Sequence, residues 1–274
     1  MDFEKEFGQT ANAHLLRYFH EALGADKIEW EMLTIRNLAK VRECMEKTCA
    51  ANSVVTYCAI IKSFLAQYTD TGLLPCGKDY KTALRAKKEP SEQIALTEDE
   101  MALIENYAPK SKLEREVKAR FLCEYYSLAR SCDIDNMTSE NIDEDKRIIK
   151  YVAIKTKKQA IVPLHRNFTR YMNERGDTPK QWSFNKTIKR ICKKCGINKK
   201  VKIFNRGEER TVEKWELVGS HTARRSGATN LAMRGVPIPV IAKMMSHGQD
   251  VEMTQRYIWI DSVNLDEHQL DFFN

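Results

Sequence analysis

The segment S-H-T-A-R-R-S-G-A-T-N-L, Ser220 to Leu231, determines how this chain is interpreted. Apolar residues at helical spacing predict a helix from His221 to Arg234, and Gly235 suits the left-handed position that ends a helix. Arg224 follows His221 by three residues, so both side chains belong to the start of this predicted helix.

Two further reactive side chains follow this helix. His247 and Tyr257 come next, so two histidines, an arginine and a tyrosine lie within 37 residues. Transfer of a phosphodiester to an enzyme hydroxyl needs a nucleophile, a proton acceptor, donors for the phosphoryl oxygens and an acid for the leaving oxygen. A phenol, with a pKa of about 10, needs nearby cations or a base to react near neutrality. Arginine stays charged and can hold two phosphate oxygens, so Arg130 and Arg224 are the candidate phosphate ligands.

Length and composition favour a globular chain with two domains. The 274 residues are 42% hydrophobic and 30% charged, which excludes the disordered and membrane classes. No apolar stretch approaches the ~20 residues of a spanning helix, and the N-terminus lacks a signal-peptide pattern. We therefore expect a cytoplasmic, nucleoid-associated protein. The eight cysteines are irregularly spaced, and the single pair Cys192 and Cys195 favours packing over zinc binding, because no second ligand pair follows.

The positive charge is concentrated in one part of the chain. The net charge is +7 overall, but it is +13 for residues 151–204 and −5 for residues 91–150. A solvated lysine-rich face is the common alternative. A stretch this basic between candidate active-site residues is what a polyanion-binding surface requires, so DNA is the leading candidate partner.

Periodicity and turn signals predict two domains, at residues 1–90 and 91–274. Helical patterns cover residues 9–23, 33–49 and 51–68, and the polar segment from Lys81 to Gln93 marks the boundary. Thr97 and Glu100 form a capping box that starts the second domain.

Further elements of the second domain give the chain a mainly α fold with a small β-sheet, in the α+β class. Helices are predicted at residues 112–129 and 179–195, the latter starting at Thr178-Pro179, then at residues 238–246 and around Met253, Tyr257 and Ile258. Alternating residues from Arg147 to Leu164 predict a hairpin, and residues 201–204 and 211–218 an extended pair around a turn at residues 205–208.

Five short motifs resemble those of the tyrosine recombinases, the phage-integrase family also called lambda-type site-specific recombinases. His221 and Arg224 occupy the family's His-x-x-Arg, and M-M-S-H, ending at His247, is similar to its Leu-Gly-His. M-T-Q-R-Y, ending at Tyr257, resembles the segment that carries the nucleophile.

The other two motifs lie upstream. Arg130 to Asp133 resembles the family's Arg-x-x-Glu, with aspartate in place of glutamate. Lys155-Thr156 precedes Val162-Pro163-Leu164 as the family's catalytic lysine precedes its own V-P-L ending. Ser246 stands where the family usually has glycine.

The resemblance implies an N-terminal helical, SAM-like domain that binds core-site DNA, and a catalytic domain of the tyrosine-recombinase type. Tyr257 would attack the scissile phosphate and leave a 3′-phosphotyrosine and a free 5′-hydroxyl, with His221 assisting its proton transfer. Lys155, or else Lys157 or Lys158, would protonate the leaving oxygen. The remaining roles are as follows: Arg130, Arg224 and His247 would hold the non-bridging oxygens, and Asp133 would support Arg130.

The same resemblance implies that neither a metal nor another cofactor is needed, because the protein linkage conserves the bond energy. It also implies double-stranded DNA core sites as substrate, a homotetramer on DNA, accessory DNA-bending proteins, and integration, excision or resolution of a mobile element. We hypothesise that the tail from Asp261 to Asn274 docks on a neighbouring protomer through its apolar residues Leu265, Leu270, Phe272 and Phe273, and a frayed acidic end is the alternative.

Each candidate also has a purely structural interpretation when taken alone. Tyr257 and His247 could be core residues, His221 a helix-terminal residue, Arg130 a partner of Asp133, and Lys155 a solvated charge. Their joint presence in the family's order favours the recombinase. Two alternatives use the same fold: a type IB topoisomerase and a DNA-binding factor without catalytic activity.

Overall fold

The computed structural model describes residues 1–89, 93–177, 179–205 and 208–258, which fall into two compact units. Among these described residues, the first unit contains residues 1–89, 204, 205 and 208–210, with five α-helices. The second contains residues 93–177, 179–203 and 211–258, with the remaining α-helices and a three-stranded sheet. The predictions for Thr178, for the turn residues Arg206 and Gly207, and for the tail from Asp261 lie outside the described residues.

The first unit is helical around an aromatic core. Its helices are α1 (Phe3–Gly8), α2 (Leu16–Leu23), α3 (Ile35–Thr48), α4 (Ala51–Ala66) and α5 (Tyr80–Ala83). The rings of Phe3, Phe7 and Phe64 pack at centroid distances between 4.8 and 6.0 Å, with Phe3 stacked on Phe7 and Phe64 edge-on to both, so large rings fill this core.

Two predictions in this unit were wrong, and one helix was not predicted. The helix predicted at residues 9–23 begins only at Leu16, after a 3₁₀ turn at Ala13–Leu15, and α1 was not predicted. The polar segment starting at Lys81 includes most of α5, whose Tyr80 and Ala83 are buried. Short helices that depend on tertiary burial leave a weak periodic signal.

The second unit opens with the predicted capping box. Thr97 Oγ1 accepts from the Glu100 amide at 3.2 Å, and Glu100 Oε2 accepts from the Thr97 amide at 2.8 Å. The helices that follow are α6 (Glu98–Asn106), α7 (Lys112–Ser127) and α8 (Ser131–Asp135). Helix α7 ends because Leu128 adopts a left-handed backbone, with φ of +52°.

A small antiparallel sheet follows, in the order β1-β2-β3, with β1 at Ile142–Asp143, β2 at Ile148–Val152 and β3 at Gln159–Pro163. Strands β2 and β3 form the predicted hairpin, with Lys150 opposite Ile161, while β1 was not predicted. Alternate side chains of both strands are buried, so one face of the sheet joins the core.

The next elements are α9 (Phe168–Glu174), α10 (Gln181–Lys194), β4 (Lys200–Asn205), β5 (Glu208–Glu213) and α11 (Lys214–Leu217). Helix α9 was not predicted, and α10 begins after Pro179 rather than with it. The strand predicted at residues 211–218 ends at Glu213, because the Glu216 carboxylate accepts from the Glu213 amide at 2.9 Å and starts α11.

Three helices complete the unit: α12 (Ser220–Met233), α13 (Ile238–Met244) and α14 (Val251–Gln255). Gly235 has the predicted left-handed φ, +79°. Helix α12 packs closely on α7, since a Cβ at Gly227 would lie 2.5 Å from both Leu128 Cδ2 and the Tyr125 carbonyl oxygen. Tyr257 lies in the turn after α14, so the prediction that a helix carries it was wrong.

These elements confirm the mainly α class with small β-sheets. Within the described ranges, no helix has the length and apolar character needed to cross a bilayer.

Candidate active site

Arg224 is the central side chain of the candidate site. It is only 1% exposed, and its Nη1 donates to the carbonyl of Leu128, at the left-handed end of α7. Its Nη2 donates to the Met245 carbonyl at 2.7 Å and lies 3.1 Å from Nε2 of His247. Burial lowers the pKa of this guanidinium. Arg224 thus joins α12 to the end of α7 and to the loop after α13.

His247 is buried as a neutral imidazole whose tautomer follows from its partners. A guanidinium only donates, so Nε2 accepts from Arg224 and Nδ1 carries the proton. Nδ1 donates to Thr254 Oγ1 at 2.9 Å, and Thr254 Oγ1 donates to the Asp250 carbonyl at 3.1 Å. Burial, with the nearby charges of Arg224 and Arg130, lowers the pKa of His247 to about 4.

Tyr257 packs against this arginine-histidine pair. Its ring centroid lies 5.4 Å from Arg224 Cζ and 5.3 Å from the His247 ring centroid. Its amide donates to the Thr254 carbonyl at 2.9 Å, and its carbonyl accepts from Thr229 Oγ1 at 3.4 Å. The candidate nucleophile and two of the candidate phosphate ligands are therefore in one place.

Arg130 is held at the start of α8 by Asp133. Oδ2 of Asp133 accepts from the Arg130 amide at 3.3 Å and lies 3.9 Å from Arg130 Nη1. Oδ1 accepts from the Ile154 amide at 2.8 Å, so one carboxylate joins Arg130 to the β2–β3 turn. Arg130 Nη1 also donates to Ser246 Oγ at 3.0 Å.

Residue 246 has a backbone conformation that suits glycine, and the serine found there adds a hydrogen bond to Arg130. Its φ is +56°, a left-handed backbone that costs a side-chain-bearing residue about 1 kcal/mol. The hydroxyl in return accepts the hydrogen bond from Arg130.

The β2–β3 turn is tied to the same loop. Thr156 Oγ1 donates to the Ser246 carbonyl at 3.0 Å, and Lys158 Nζ donates to the His247 carbonyl at 2.7 Å. Lys155 and Lys157 are exposed in this turn, and neither side chain makes a hydrogen bond or ion pair within the described ranges. Because Lys158 is engaged with the backbone, Lys155 stays the first choice among the three lysines.

His221 lies in the first turn of α12 with an exposed side chain. The pKa of its imidazole is lowered, first because neighbouring protein removes part of the water around the ring. The positive charges nearby lower it further, and they belong to Arg225, Arg224, Arg130 and Lys155. A neutral imidazole near neutral pH is able to accept a proton.

Several contact residues of this site were not predicted. Thr254 and the hydroxyl of Thr156 act through tertiary contacts that leave no local signal in the sequence. Arg225 could have been noticed, because it follows Arg224 directly and lies four residues after His221 on the same helical face. Cys192 lies in the hydrophobic core as predicted, and the described residues contain no group of three or more metal-binding side chains.

This chain is similar to a known protein family and to several solved structures. The family model described as the phage integrase family matches residues 95–262. A solved structure of a lambda integrase dimer bound to a COC′ core site is 16% identical, with a TM-score of 0.66, over 97% of this chain and 95% of that one.

Two further solved structures are similar. The Tn1549 transposon integrase in complex with transposon right end DNA is 11% identical, with a TM-score of 0.66, over 100% of this chain and 99% of that one. A lambda integrase tetramer bound to a Holliday junction is 16% identical, with a TM-score of 0.63, over 94% of this chain and 75% of that one. At these identities the likeness establishes the fold. A search of curated proteins finds no match.

Proposed function

The chain belongs to the phage integrase family, and from this premise we propose that it is a site-specific recombinase that cuts and rejoins double-stranded DNA through a 3′-phosphotyrosyl bond to Tyr257. Family membership makes it a DNA strand transferase of the tyrosine-recombinase type. The observation that carries the finer proposal is the packing of Tyr257 on the Arg224–His247 pair, at 5.4 and 5.3 Å.

Cleavage is a balanced exchange at phosphorus. The Tyr257 oxygen forms a bond to phosphorus as the bond to the 5′ oxygen breaks. The phenol proton passes to His221, which its lowered pKa keeps neutral, and the 5′ oxygen takes a proton from Lys155. The 5′-hydroxyl of a partner strand reverses the step and restores both protons, so the exchange uses no nucleotide.

In this proposal the scissile phosphate is held by Arg130, Arg224 and His247, and His247 donates to it once its Nε2 has left Arg224 and carries a proton. Arg224 Nε is buried and has no acceptor within the described ranges, and a buried charged donor of this kind is satisfied by a phosphate oxygen. Arg224 and His247 are each 1% exposed beside the Tyr257 ring. The phosphate therefore enters as that ring moves off the pair and its oxygen turns toward phosphorus.

The basic row on α10 is the proposed contact with the flanking DNA. Lys186 and Lys189 make no ion pair within the described ranges, and Trp182, four residues before Lys186, is 68% exposed. Asn185 Oδ1 accepts from the Ser220 amide at 3.0 Å, which places this helix beside the start of α12. By contrast, Arg190 and Lys194, on the same helix, are compensated by Glu114 at 3.3 and 3.0 Å.

The assembly is proposed from the family and from the similar structures. Residues 1–90 form a helical domain that binds the core site, and four protomers act on two duplexes in the integration, excision or resolution of a mobile element. Accessory DNA-bending proteins and docking of the C-terminal tail on a neighbouring protomer belong to the same proposal. Similar structures that hold DNA as a dimer and as a tetramer support it.

A suicide substrate tests the chemistry. The substrate is a duplex selected by binding from a random-sequence pool and then nicked beside each position in turn. On cleavage it loses the short fragment that carries the new 5′-hydroxyl, so the strand cannot be rejoined and the adduct is trapped. We expect wild-type protein to become linked to a DNA 3′ end through the peptide that contains Tyr257, and Tyr257→Phe to form no adduct. Tyr57→Phe, which removes a hydroxyl from the first unit, is the matched control and should react like wild type.

The same assay separates the alternatives. Tight binding without any adduct would identify a DNA-binding factor and refute the enzyme. Adduct formation together with relaxation of supercoiled plasmids of unrelated sequence would identify a topoisomerase.

A further inference from the structure

Arg225 is a cation of the candidate site that has no role so far. It lies on α12 four residues after His221 and four before Thr229, so these three side chains share one face of the helix. Thr229 Oγ1 donates to the carbonyl of Tyr257 at 3.4 Å. The face that carries Arg225 is therefore the face against which the Tyr257 segment packs.

The charge of Arg225 is uncompensated. Its side chain is half-buried, its Nε is buried without a hydrogen-bond partner, and no carboxylate of the described residues pairs with it. The other arginines differ, because Arg224 donates to Leu128 and Met245 carbonyls, and Arg130 has Ser246 and Asp133. Burial lowers the pKa of Arg225, and the phenol of Tyr257 is the group that opposes this shift.

The other charges around Tyr257 come from every neighbouring element. Arg224 lies on α12, and His247, in the loop after α13, is neutral above a pKa of about 4. Four more groups act on the flanking histidines: Arg130 on α8, Lys155 and Lys158 in the β2–β3 turn, and Asp250 at the start of α14. Arg256 is 71% exposed and pairs with Glu252. Arg225 is thus the half-buried cation of this set that no acceptor among the described residues engages.

We propose that Arg225 acts through Tyr257, its charge stabilising the phenolate as the proton leaves and so raising the reactive fraction of the nucleophile. The inference rests on the proposed function. Arg225 is a positioning residue in this scheme, and direct binding of a DNA phosphate is the competing role.

The test compares Arg225→Gln and Arg225→Lys with wild type. Single-turnover adduct formation on saturating nicked duplex is measured from pH 6 to 9, with DNA affinity at several salt concentrations. Removing a neighbouring cation weakens the stabilisation of the phenolate, so Arg225→Gln should react about tenfold more slowly than wild type at neutral pH. Arg225→Lys should stay close to wild type. Arg256→Gln, an exposed charge next to Tyr257, is the matched control and should leave the profile unchanged.

A more acidic nucleophile gives a second readout. Incorporation of difluorotyrosine at position 257 should restore the neutral-pH rate of Arg225→Gln, and it should do so without altering DNA affinity. Thermal unfolding verifies that each variant is folded, and the neutral variant Arg225→Met replaces Arg225→Gln if the glutamine variant does not fold.

The outcomes are distinct. An unchanged rate of adduct formation on saturating DNA, with weaker DNA binding and a salt slope reduced by about one, would make Arg225 a phosphate ligand and overturn the proposal. Failure of difluorotyrosine to rescue the glutamine variant would also overturn it, as would loss of activity in Arg225→Lys equal to that in Arg225→Gln. Absence of any wild-type adduct would instead refute the proposed function itself.

Discussion

Acidification should destabilise the second unit through His247, because a protonated Nε2 can no longer accept from Arg224. The pKa of His247 is about 4 in the folded chain, against about 6.5 for an ordinary histidine. A folded-state pKa below the unfolded one means that the unfolded chain binds more protons. The stability is therefore fully present above pH 6.5 and is lost as the pH falls toward 4.

The size of the effect follows from the two pKa values. Each unit of difference corresponds to about 1.4 kcal/mol, so the loss between pH 7 and 5.5 should be about 1 kcal/mol, and about 2 kcal/mol by pH 4.5. His247 is 1% exposed, so solvent does little to reduce this value.

His247→Gln isolates this contribution. Glutamine offers Arg224 a carbonyl oxygen but does not titrate, while His165 and His221, whose pKa values are also lowered, remain in both proteins. Both proteins are unfolded with urea at pH 7, 5.5 and 4.5. Relative to pH 7, the free energy of unfolding of the wild type should fall by about 1 kcal/mol more than that of His247→Gln at pH 5.5, and by about 2 kcal/mol more at pH 4.5. Parallel losses in the two proteins, or an NMR titration of His247 centred near pH 6.5, would refute the reasoning.

Three further predictions concern packing, capping and DNA contact. Gly227→Ala should lower the free energy of unfolding by about 2 kcal/mol or more in urea titrations, because its Cβ would overlap Leu128 at 2.5 Å; unchanged stability would contradict the close approach of α12. Thr97→Ala should lower it by about 1 kcal/mol, and Thr97→Ser should not, since only alanine removes the capping oxygen. Replacing Lys186 and Lys189 with glutamine should reduce the slope of log affinity against log salt by about 2, and an unchanged slope would exclude this row as a phosphate contact.

The chemistry of the candidate site was more predictable than its architecture. His221 and Arg224 are separated by one helical turn, and this spacing is visible in the sequence alone. Local spacing carries such information because both partners lie within a few residues. Ser246 was noted as standing where the family usually has glycine, but its left-handed backbone was not predicted.

Contacts between distant segments were not predictable in the same way. The bond from Arg224 to the Leu128 carbonyl spans 96 residues, and Asp133 reaches the Ile154 amide across 21. Helix α9, whose Phe168 and Tyr171 are buried, is stabilised by packing against distant parts of the chain. A local sequence pattern does not reveal such contacts. Tyr257 was placed on a helix because its neighbours have helical spacing, although α14 ends at Gln255.

The two bonds from the β2–β3 turn to the loop at residues 246–248 restrict how this protein can be re-engineered. Gly248, with φ of +69°, has its Cα so close to Lys158 that an added Cβ would lie 3.0 Å from the lysine Nζ. Thr156 and Lys158 bond carbonyls of that same loop. A hairpin grafted from another protein would therefore have to bring its own version of residues 246–248, and the two segments should be exchanged as one cassette.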